Sequence, residues 1–509
     1  IYILAGGKTG RDGIHGVTFA SRDLDAGSED DIGAVQLGDP ITKEPLMHLC
    51  LELNELGLLT GMKDLGGGGL SCVVGELALD AGFGAKVDLE KVHLKLKNMA
   101  PWEIWVSESQ ERMMFTVKPE NVKTVLDRCN AWDVEAVAIG EVIKEKRNIV
   151  RFNNTEILNL DLEFTTGGPV YNRPYTLPEI NNLEAVELPE LPSNLSKTIE
   201  EIISNPEVAS KDWVIRQYDH EVRGATAIKP IQGKIGKEVH GDSSVLKPVE
   251  NSWKGLALTT DINPHLMEAN PYHGTMSAVE EICRNLASVG ARIDSLADCL
   301  CFGNPQRPEI MGQFKSSCDA LRDAATSVDV PYVSGNVSLY NETTEGAIPP
   351  TPVLMGIGLV NDIRKCVTSD LKNEGDIWLI GDNKQQLGAS LYYRTLGLNC
   401  PNVPTTDFDS FIPRMEQLID AIECEEVIAC HDISTGGLAL AIIEMCMSGV
   451  GAKINLSGEM RDDLELFNES NGRWLVQVKP DFEEKFSKRF DFAKKIGTVN
   501  ETIEFILHN

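Results

Sequence analysis

The sequence predicts a mixed α and β protein of several domains in the order repeat, insert, repeat. Three observations set this expectation. At 509 residues the chain is too long for one core, since single cores stop growing near ~250–300 residues. Two stretches of it resemble one another. Between them, apolar runs of strand length alternate with apolar stripes of helical period.

The repeat is read from three blocks in the same order. Asp64-Leu65-Gly66-Gly67-Gly68-Gly69-Leu70, with Glu76 and Gly84-Ala85-Lys86, returns as Asp432-Ile433-Ser434-Thr435-Gly436-Gly437-Leu438, with Glu444 and Gly451-Ala452-Lys453, at an offset of 368 that drops by one at the last block. Glu108-Ser109-Gln110-Glu111-Arg112 with Val117-Lys118-Pro119 returns as Glu469-Ser470-Asn471-Gly472-Arg473 with Val478-Lys479-Pro480, at 361. Ile139-Gly140-Glu141-Val142 meets Ile496-Gly497-Thr498-Val499 at 357. A slowly shrinking offset is the mark of a duplicated domain of roughly 150 residues.

The insert enters through Leu188-Pro189-Glu190-Leu191-Pro192-Ser193, proline-rich and polar as linkers are. Strands are expected at Gly255–Thr260, up to about Leu300, near Pro331–Ser334 and at Val353–Leu359. Helices are expected around Met276–Val289, where Met276, Val279, Cys283 and Leu286 share a face, and near Gln313–Val328. The resulting division is 1–178, 179–365 and 366–509. In the first copy, Asp39-Pro40 supplies an N-cap and an N1 proline, Leu46, Leu49, Leu53 and Leu56 form a stripe, and Gly57 ends the helix. A strand ending near Asp64, four glycines and a helix with Leu70, Val73, Leu77 and Ala81 inward complete the pattern. Strand, glycine turn and helix N-terminus together make an anion site.

A net charge of −30 repels nucleic acid and anionic membranes, so neither is expected as a partner. An anionic substrate then needs local help, for which Mg²⁺ is the expected agent. The twelve cysteines follow neither a disulfide framework nor a zinc spacing, and a reducing cytoplasm is the expected location. No apolar run reaches the length of a membrane span. The chain opens on Ile1-Tyr2-Ile3-Leu4-Ala5-Gly6-Gly7, a buried strand without an initiator Met, and a preceding segment is expected.

Asp64, at the mouth of the glycine turn, can hold Mg²⁺ or cap the following helix. Glu108, Ser109 and Gln110 suit the polar edges of a small amide, or form a polar loop; Gln36 precedes a helix and reads equally as surface. Asp298 and Asn336, near two strand ends, are oxygen donors for a magnesium nucleotide or members of two tight turns. Gly6-Gly7-Lys8-Thr9-Gly10 lacks the first glycine of a P-loop. His15, in a glycine turn, is an acid–base candidate or structural.

Gly10-Arg11-Asp12-Gly13-Ile14-His15-Gly16, Gln36-Leu37-Gly38-Asp39-Pro40, Asp64-Leu65-Gly66, Glu108-Ser109-Gln110, Asp298-Cys299-Leu300, Phe302-Gly303-Asn304-Pro305 and Gly335-Asn336-Val337-Ser338-Leu339-Tyr340-Asn341 resemble the small-type phosphoribosylformylglycinamidine synthase family, from residue 1 to the end. The resemblance implies α+β and α/β architecture. N-type ferredoxin-like domains and C-type domains of the aminoimidazole ribonucleotide synthetase superfamily alternate, with the first N-type domain absent here. It implies that Gln36, Glu108, Ser109, Gln110 and Ser338 contact formylglycinamide ribonucleotide, Asp298 and Gly335 contact ATP, and Asp64 and Asn336 bind Mg²⁺. The implied reaction is ATP-dependent amidation, with ammonia from a separate glutaminase subunit and a small bridging subunit in the complex. The family's catalytic histidine belongs to the domain expected before residue 1, so residues 1–509 alone are expected not to turn over. Two other readings are open: a single-pair relative, which the repeat opposes, and a non-catalytic nucleotide-binding scaffold.

Overall fold

Asp39 and Pro40 begin the first long helix as their chemistry requires. The Asp39 carboxylate accepts from the Thr42 N–H, Pro40 sits at N1, and α1 (Pro40–Glu55) buries Leu46, Leu49 and Leu53. Each of these contributes roughly 1.5–3 kcal/mol by leaving water. Leu56 falls just beyond the last turn and is exposed, a correction to the expected stripe. The computed structural model describes residues 1–14, 16, 35–168, 170–179, 188–500 and 505–508. These form two compact units, Ile1–Asn172 with Tyr340–Gly346, and Arg173–Leu339 with Ala347–Asn509.

The first unit is built on β1 (Tyr2–Gly6), β2 (Leu59–Asp64), β3 (Gly84–Asp88), β4 (Arg112–Val117), β5 (Ala136–Ile143), β6 (Arg147–Phe152) and β7 (Thr155–Asp161), in the order β2-β4-β1-β5-β3-β6-β7. Only β3 and β6 run parallel. Helix α2 (Leu70–Leu79) packs with Tyr2 and Leu4, whereas α1 and α3 (Val122–Ala131) pack with Ile3 and Ala5. With both faces covered, β1 is apolar throughout rather than alternating. Helix α2 stops at Leu79, which leaves Ala81 exposed instead of inward.

The second unit holds two sheets. One consists of β8 (Thr226–Ile228), β9 (Ser244–Leu246), β10 (Gly255–Asp261), β11 (Arg292–Cys301), β12 (Tyr332–Ser338) and β13 (Thr351–Val360), in the order β12-β11-β13-β10-β9-β8. Helices α4 (Pro271–Ser288) and α5 (Pro308–Val328) belong with it. Edge strand β12 runs parallel to β11 and continues through Gly335 and Asn336, which the sequence reading had placed after its end. Pairing with β11 supplies the neighbours that a glycine and an asparagine do not advertise locally.

The other sheet consists of β14 (Asp376–Ile380), β15 (Val427–Asp432), β16 (Gly451–Asn455), β17 (Trp474–Val478), β18 (Lys494–Asn500) and β19 (Phe505–His508), with α6 (Phe408–Glu423) and α7 (Gly437–Cys446). Its order is β15-β17-β14-β18-β16-β19, and β16 runs parallel to β19. Substituting β1 to β6 for β14 to β19 in turn reproduces the first sheet, including the position of its parallel pair. The repeat seen in the sequence is therefore a repeat of topology, with β7 following the six matched strands in the first copy. Within the second unit the two sheets share one core, in which Ile282 and Leu286 of α4 meet Ile419, Ile422 and Trp474.

Candidate functional site

In the first unit the chemistry gathers where the end of β2, the glycine turn and the start of β4 come together. Glu108 and Ser109 are buried and Gln110 half-buried, so the stretch is not a solvated polar loop. One Glu108 oxygen accepts from the Gly68 N–H at 2.9 Å and the other from Gln36 Nε2 at 2.7 Å. Two of the expected substrate residues, Glu108 directly and Gln36 through it, are thus tied to the glycine turn. Gln110 Nε2 donates to the Glu108 carbonyl at 2.7 Å, and Ser109 Oγ accepts from the Gly10 N–H at 2.9 Å.

The turn itself admits only glycine at Gly69, whose φ is +55° and whose Cβ would stand 1.9 Å from the Ser107 carbonyl oxygen. Gly69 also occupies the N-cap of α2, and no side chain caps that helix. Asp64 is therefore not its cap. Its carboxylate is exposed at the end of β2, on a cleft of about 330 Å³ lined also by Leu46, Cys50, Met62, Gln110 and Met113.

Arg112 is the residue the sequence reading missed. Its buried guanidinium donates to the carbonyls of Ser109 at 2.6 Å and Ser107 at 2.7 Å and to Thr9 Oγ1 at 2.9 Å, which fixes the loop from behind. Burial lowers its pKa to about 10, opposed by the charges of Asp12 and Glu108. Burial raises that of Asp12, but hydrogen bonds from Ser109 and Lys95 outweigh it and leave the carboxyl below its ordinary value. The available signal was the survival of Arg in both copies while Gln110-Glu111 became Asn471-Gly472.

The second copy keeps the scaffold and uses up the functional groups. Arg473 donates to the carbonyls of Ser470 and Asn468 as Arg112 does to those of Ser109 and Ser107. Glu469 Oε1 accepts from the N–H groups of Gly436 and Leu391, at 2.8 and 2.9 Å. Burial pushes the Glu469 carboxyl up to about 7 despite these donors. Asn471 Nδ2 donates to Ser277 and Thr406. Asp432, the counterpart of exposed Asp64, is buried against Arg284 at 3.1 Å.

In the second unit Asp298 and Gly335 are register partners on β11 and β12, as are Cys299 and Asn336. They sit on paired strands, not in two tight turns. A Cβ on Gly335 would approach both Asp298 carboxylate oxygens, at 2.9 and 3.0 Å, so glycine leaves room over that carboxylate. Burial raises the Asp298 pKa, partly offset by the Asn336 backbone N–H. Ser338, three residues past Gly335, accepts from the Phe302 N–H through its carbonyl. His15 lies outside the described residues.

Comparison with known proteins matches this architecture. The AIR synthase related protein C-terminal domain matches residues 2–153 and 394–508, which lie within the two topological copies. The corresponding N-terminal domain matches residues 240–360, the sheet between them. The phosphoribosylformylglycinamidine synthase subunit PurL of Thermococcus sibiricus is 40% identical over 516 residues, covering 100% of this chain and 70% of the relative.

The chain belongs to the PurL family. The PurL of Thermoplasma acidophilum is 39% identical over 490 residues, which is 96% of this chain and 64% of that protein, so the chain spans just under two thirds of that relative. Among solved structures, Thermotoga maritima PurL complexed with FGAR superposes with a TM-score of 0.72 at 25% identity, over 98% of this chain and 71% of that one. The same protein complexed with AMPPCP gives 0.67 at 25% identity, over 98% and 71%. Among the described residues, no helix is long and apolar enough to cross a membrane.

Proposed function

We propose that this PurL-family chain takes part in ATP-dependent conversion of formylglycinamide ribonucleotide to its amidine, in de novo purine synthesis in the cytoplasm. The observation that carries the reading is the Glu108 carboxylate held between Gln36 and the glycine turn. It makes a built polar site of residues that are remote in sequence, on a scaffold shared with PurL relatives at 40% identity. The T. maritima complexes with FGAR and AMPPCP support the substrate pair.

In this reading Gln36, Glu108, Ser109, Gln110 and Ser338 position the ribonucleotide, and Asp298 and Gly335 receive ATP. Asp64 fits a Mg²⁺ and Asn336 a further one: the exposed carboxylate of the first and the exposed amide of the second are hard oxygen ligands, each reachable from solvent. Bound Mg²⁺ would supply charge neutralisation for phosphoryl transfer. An amide carbon resists ammonia until its oxygen can leave, so ATP phosphorylates that oxygen, and ammonia then forms the new C–N bond as phosphate departs. Ammonia comes from a separate glutaminase subunit, with a small bridging subunit completing the assembly. The reading divides the chain into a C-type, an N-type and a second C-type domain at 1–178, 179–365 and 366–509.

The test is calorimetry and turnover on the full gene product with Mg-ATP, formylglycinamide ribonucleotide and ammonium. Binding of both substrates and stoichiometric amidine, ADP and phosphate are expected. Glu108→Gln is expected to raise KM for the ribonucleotide about tenfold, the equivalent of ~1.4 kcal/mol. Binding of nucleotide alone, with no amidine, would make the chain a scaffold and end the proposal.

A further inference from the structure

Cys299 and Cys301 stand two residues apart on β11, and their sulfurs lie 3.8 Å from one another. Side chains at i and i+2 of a strand share a face, and both thiols are only half-buried. Asn336, the register partner of Cys299, donates its side-chain amide to Cys299 Sγ at 3.4 Å. The pair is therefore in contact with a proposed magnesium ligand and adjoins Asp298.

We propose that Cys299 and Cys301 form a reversible disulfide that switches off the nucleotide end of the site. The inference rests on the reading of Asn336 and Asp298 given above. The oxidant is a low-molecular-weight disulfide. The Cys299 thiolate attacks one of its sulfurs, that S–S bond breaks, and one small thiolate leaves. Cys301, after giving its proton to solvent, attacks Cys299 Sγ and releases the second small thiol. Two protein thiols thereby lose two electrons and two protons, and the oxidant gains them as two thiols. Burial, then the neighbouring sulfur, pushes the Cys301 thiol up to about 11.

Closure must bring the sulfurs from 3.8 Å to about 2 Å. That movement shifts Cys299 Sγ, which accepts from the Asn336 amide, and strains the strand across Leu300, two residues from Asp298. A ring closed over one intervening residue is strained and so readily reduced, which keeps the resting protein in the dithiol form and confines the switch to oxidising conditions.

The experiment equilibrates the full gene product with oxidised glutathione, alkylates free thiols and maps the tryptic peptide 293–315, which contains no other cysteine. A peptide lighter by two hydrogens and unalkylated is expected, together with a rise of about fivefold or more in KM for Mg-ATP. Dithiothreitol should reverse both. Cys301→Ser should keep the untreated KM, form no lighter peptide and stop at the glutathione adduct on Cys299. Failure of the lighter peptide to form in the parent overturns the inference, as does its formation without a change in Mg-ATP handling. If the untreated protein makes no amidine, the earlier reading fails by itself, and Mg-ATP affinity by calorimetry still decides whether the disulfide acts on nucleotide binding.

Discussion

At the scale of single residues, the first unit depends on groups that never reach solvent. Arg112 satisfies two carbonyls and a hydroxyl that no water can reach. Replacing it with Met leaves those acceptors unpaired, at about 1–3 kcal/mol for each. Arg112→Met is therefore expected to lower the unfolding free energy by roughly 3 kcal/mol or more, read from urea denaturation, and to weaken ribonucleotide binding as the loop relaxes. Glycines divide by what surrounds them. Gly69 and Gly82 both have positive φ, but a Cβ at Gly69 meets the Ser107 carbonyl and one at Gly82 meets open space. Gly82→Ala should cost about 1 kcal/mol from backbone strain alone, and Gly69→Ala several times as much. Equal losses for the two would show that the turn yields, and that close approach is not what selects glycine there. Arg112 could be suspected from its survival in both copies. The tightness of Gly69 could not, because the carbonyl it faces is 38 residues away.

At the scale of elements, α4 carries the most information and advertised the least. It begins at Pro271 rather than near Met276, with Asn270 accepting from the His273 N–H and Pro271 at N1. Its apolar face was readable. What was not readable is that the remaining faces are also buried, so that Glu280 and Arg284 lie inside. Arg284 pairs with Glu280 at 2.5 Å, Glu281 at 3.2 Å and Asp432, a partner 148 residues away that leaves no local signature. Nearby, His431 stands between Asp242 at 2.7 Å and Glu444 at 3.0 Å. Burial alone would lower its pKa, but the two carboxylates win and hold it well above the ordinary value. Asp261, at the end of β10, is pushed by burial up to about 7. Both folded pKa values exceed the unfolded ones. Each group therefore contributes stability that is full below its unfolded pKa and is lost as pH rises through its folded pKa. For Asp261 that window runs from about 4 to 7, and for His431 it begins near pH ~6.5 and extends upward. The second unit is thus expected to weaken on going from acid to neutral and alkaline pH. Asp261→Asn, which mimics the neutral acid, should stabilise at pH ~8 by on the order of 2 kcal/mol and change little at pH ~4. His431→Gln should remove part of the loss above neutrality. Stability that instead rises with pH in urea titrations of both variants and the parent would refute the assignment.

At the scale of the whole molecule, one topology is used twice to different ends. The order of six strands, the placement of the parallel pair, the glycine turn and the buried arginine all recur. This much was legible because duplication leaves a long, ordered correspondence that no single motif has to carry. The diverged functions were legible only in outline, through Ser434-Thr435 for two glycines and Asn471 for Gln110. The structure supplies the reason. In the first copy Glu108 offers its second oxygen to a side chain, Gln36, and Asp64 is exposed. In the second, Glu469 is committed to two backbone donors and Asp432 to Arg284, so the same positions hold the fold together. Matched substitutions in the two copies should therefore fail in opposite ways. Glu108→Ala should raise KM for the ribonucleotide about tenfold or more while shifting the urea midpoint less than its counterpart does, because its exposed partner Gln36 can turn to water and, of the partners described, only the half-buried Gly68 N–H is left unpaired. Glu469→Ala should leave that KM near its parent value and cost the second unit about 2–4 kcal/mol, the penalty for leaving two buried N–H groups unpaired. The discriminating measurement is both parameters on both variants. A change in KM from Glu469→Ala without loss of stability would mean that the second copy has kept a ligand, and that its closed hydrogen bonds open when one arrives.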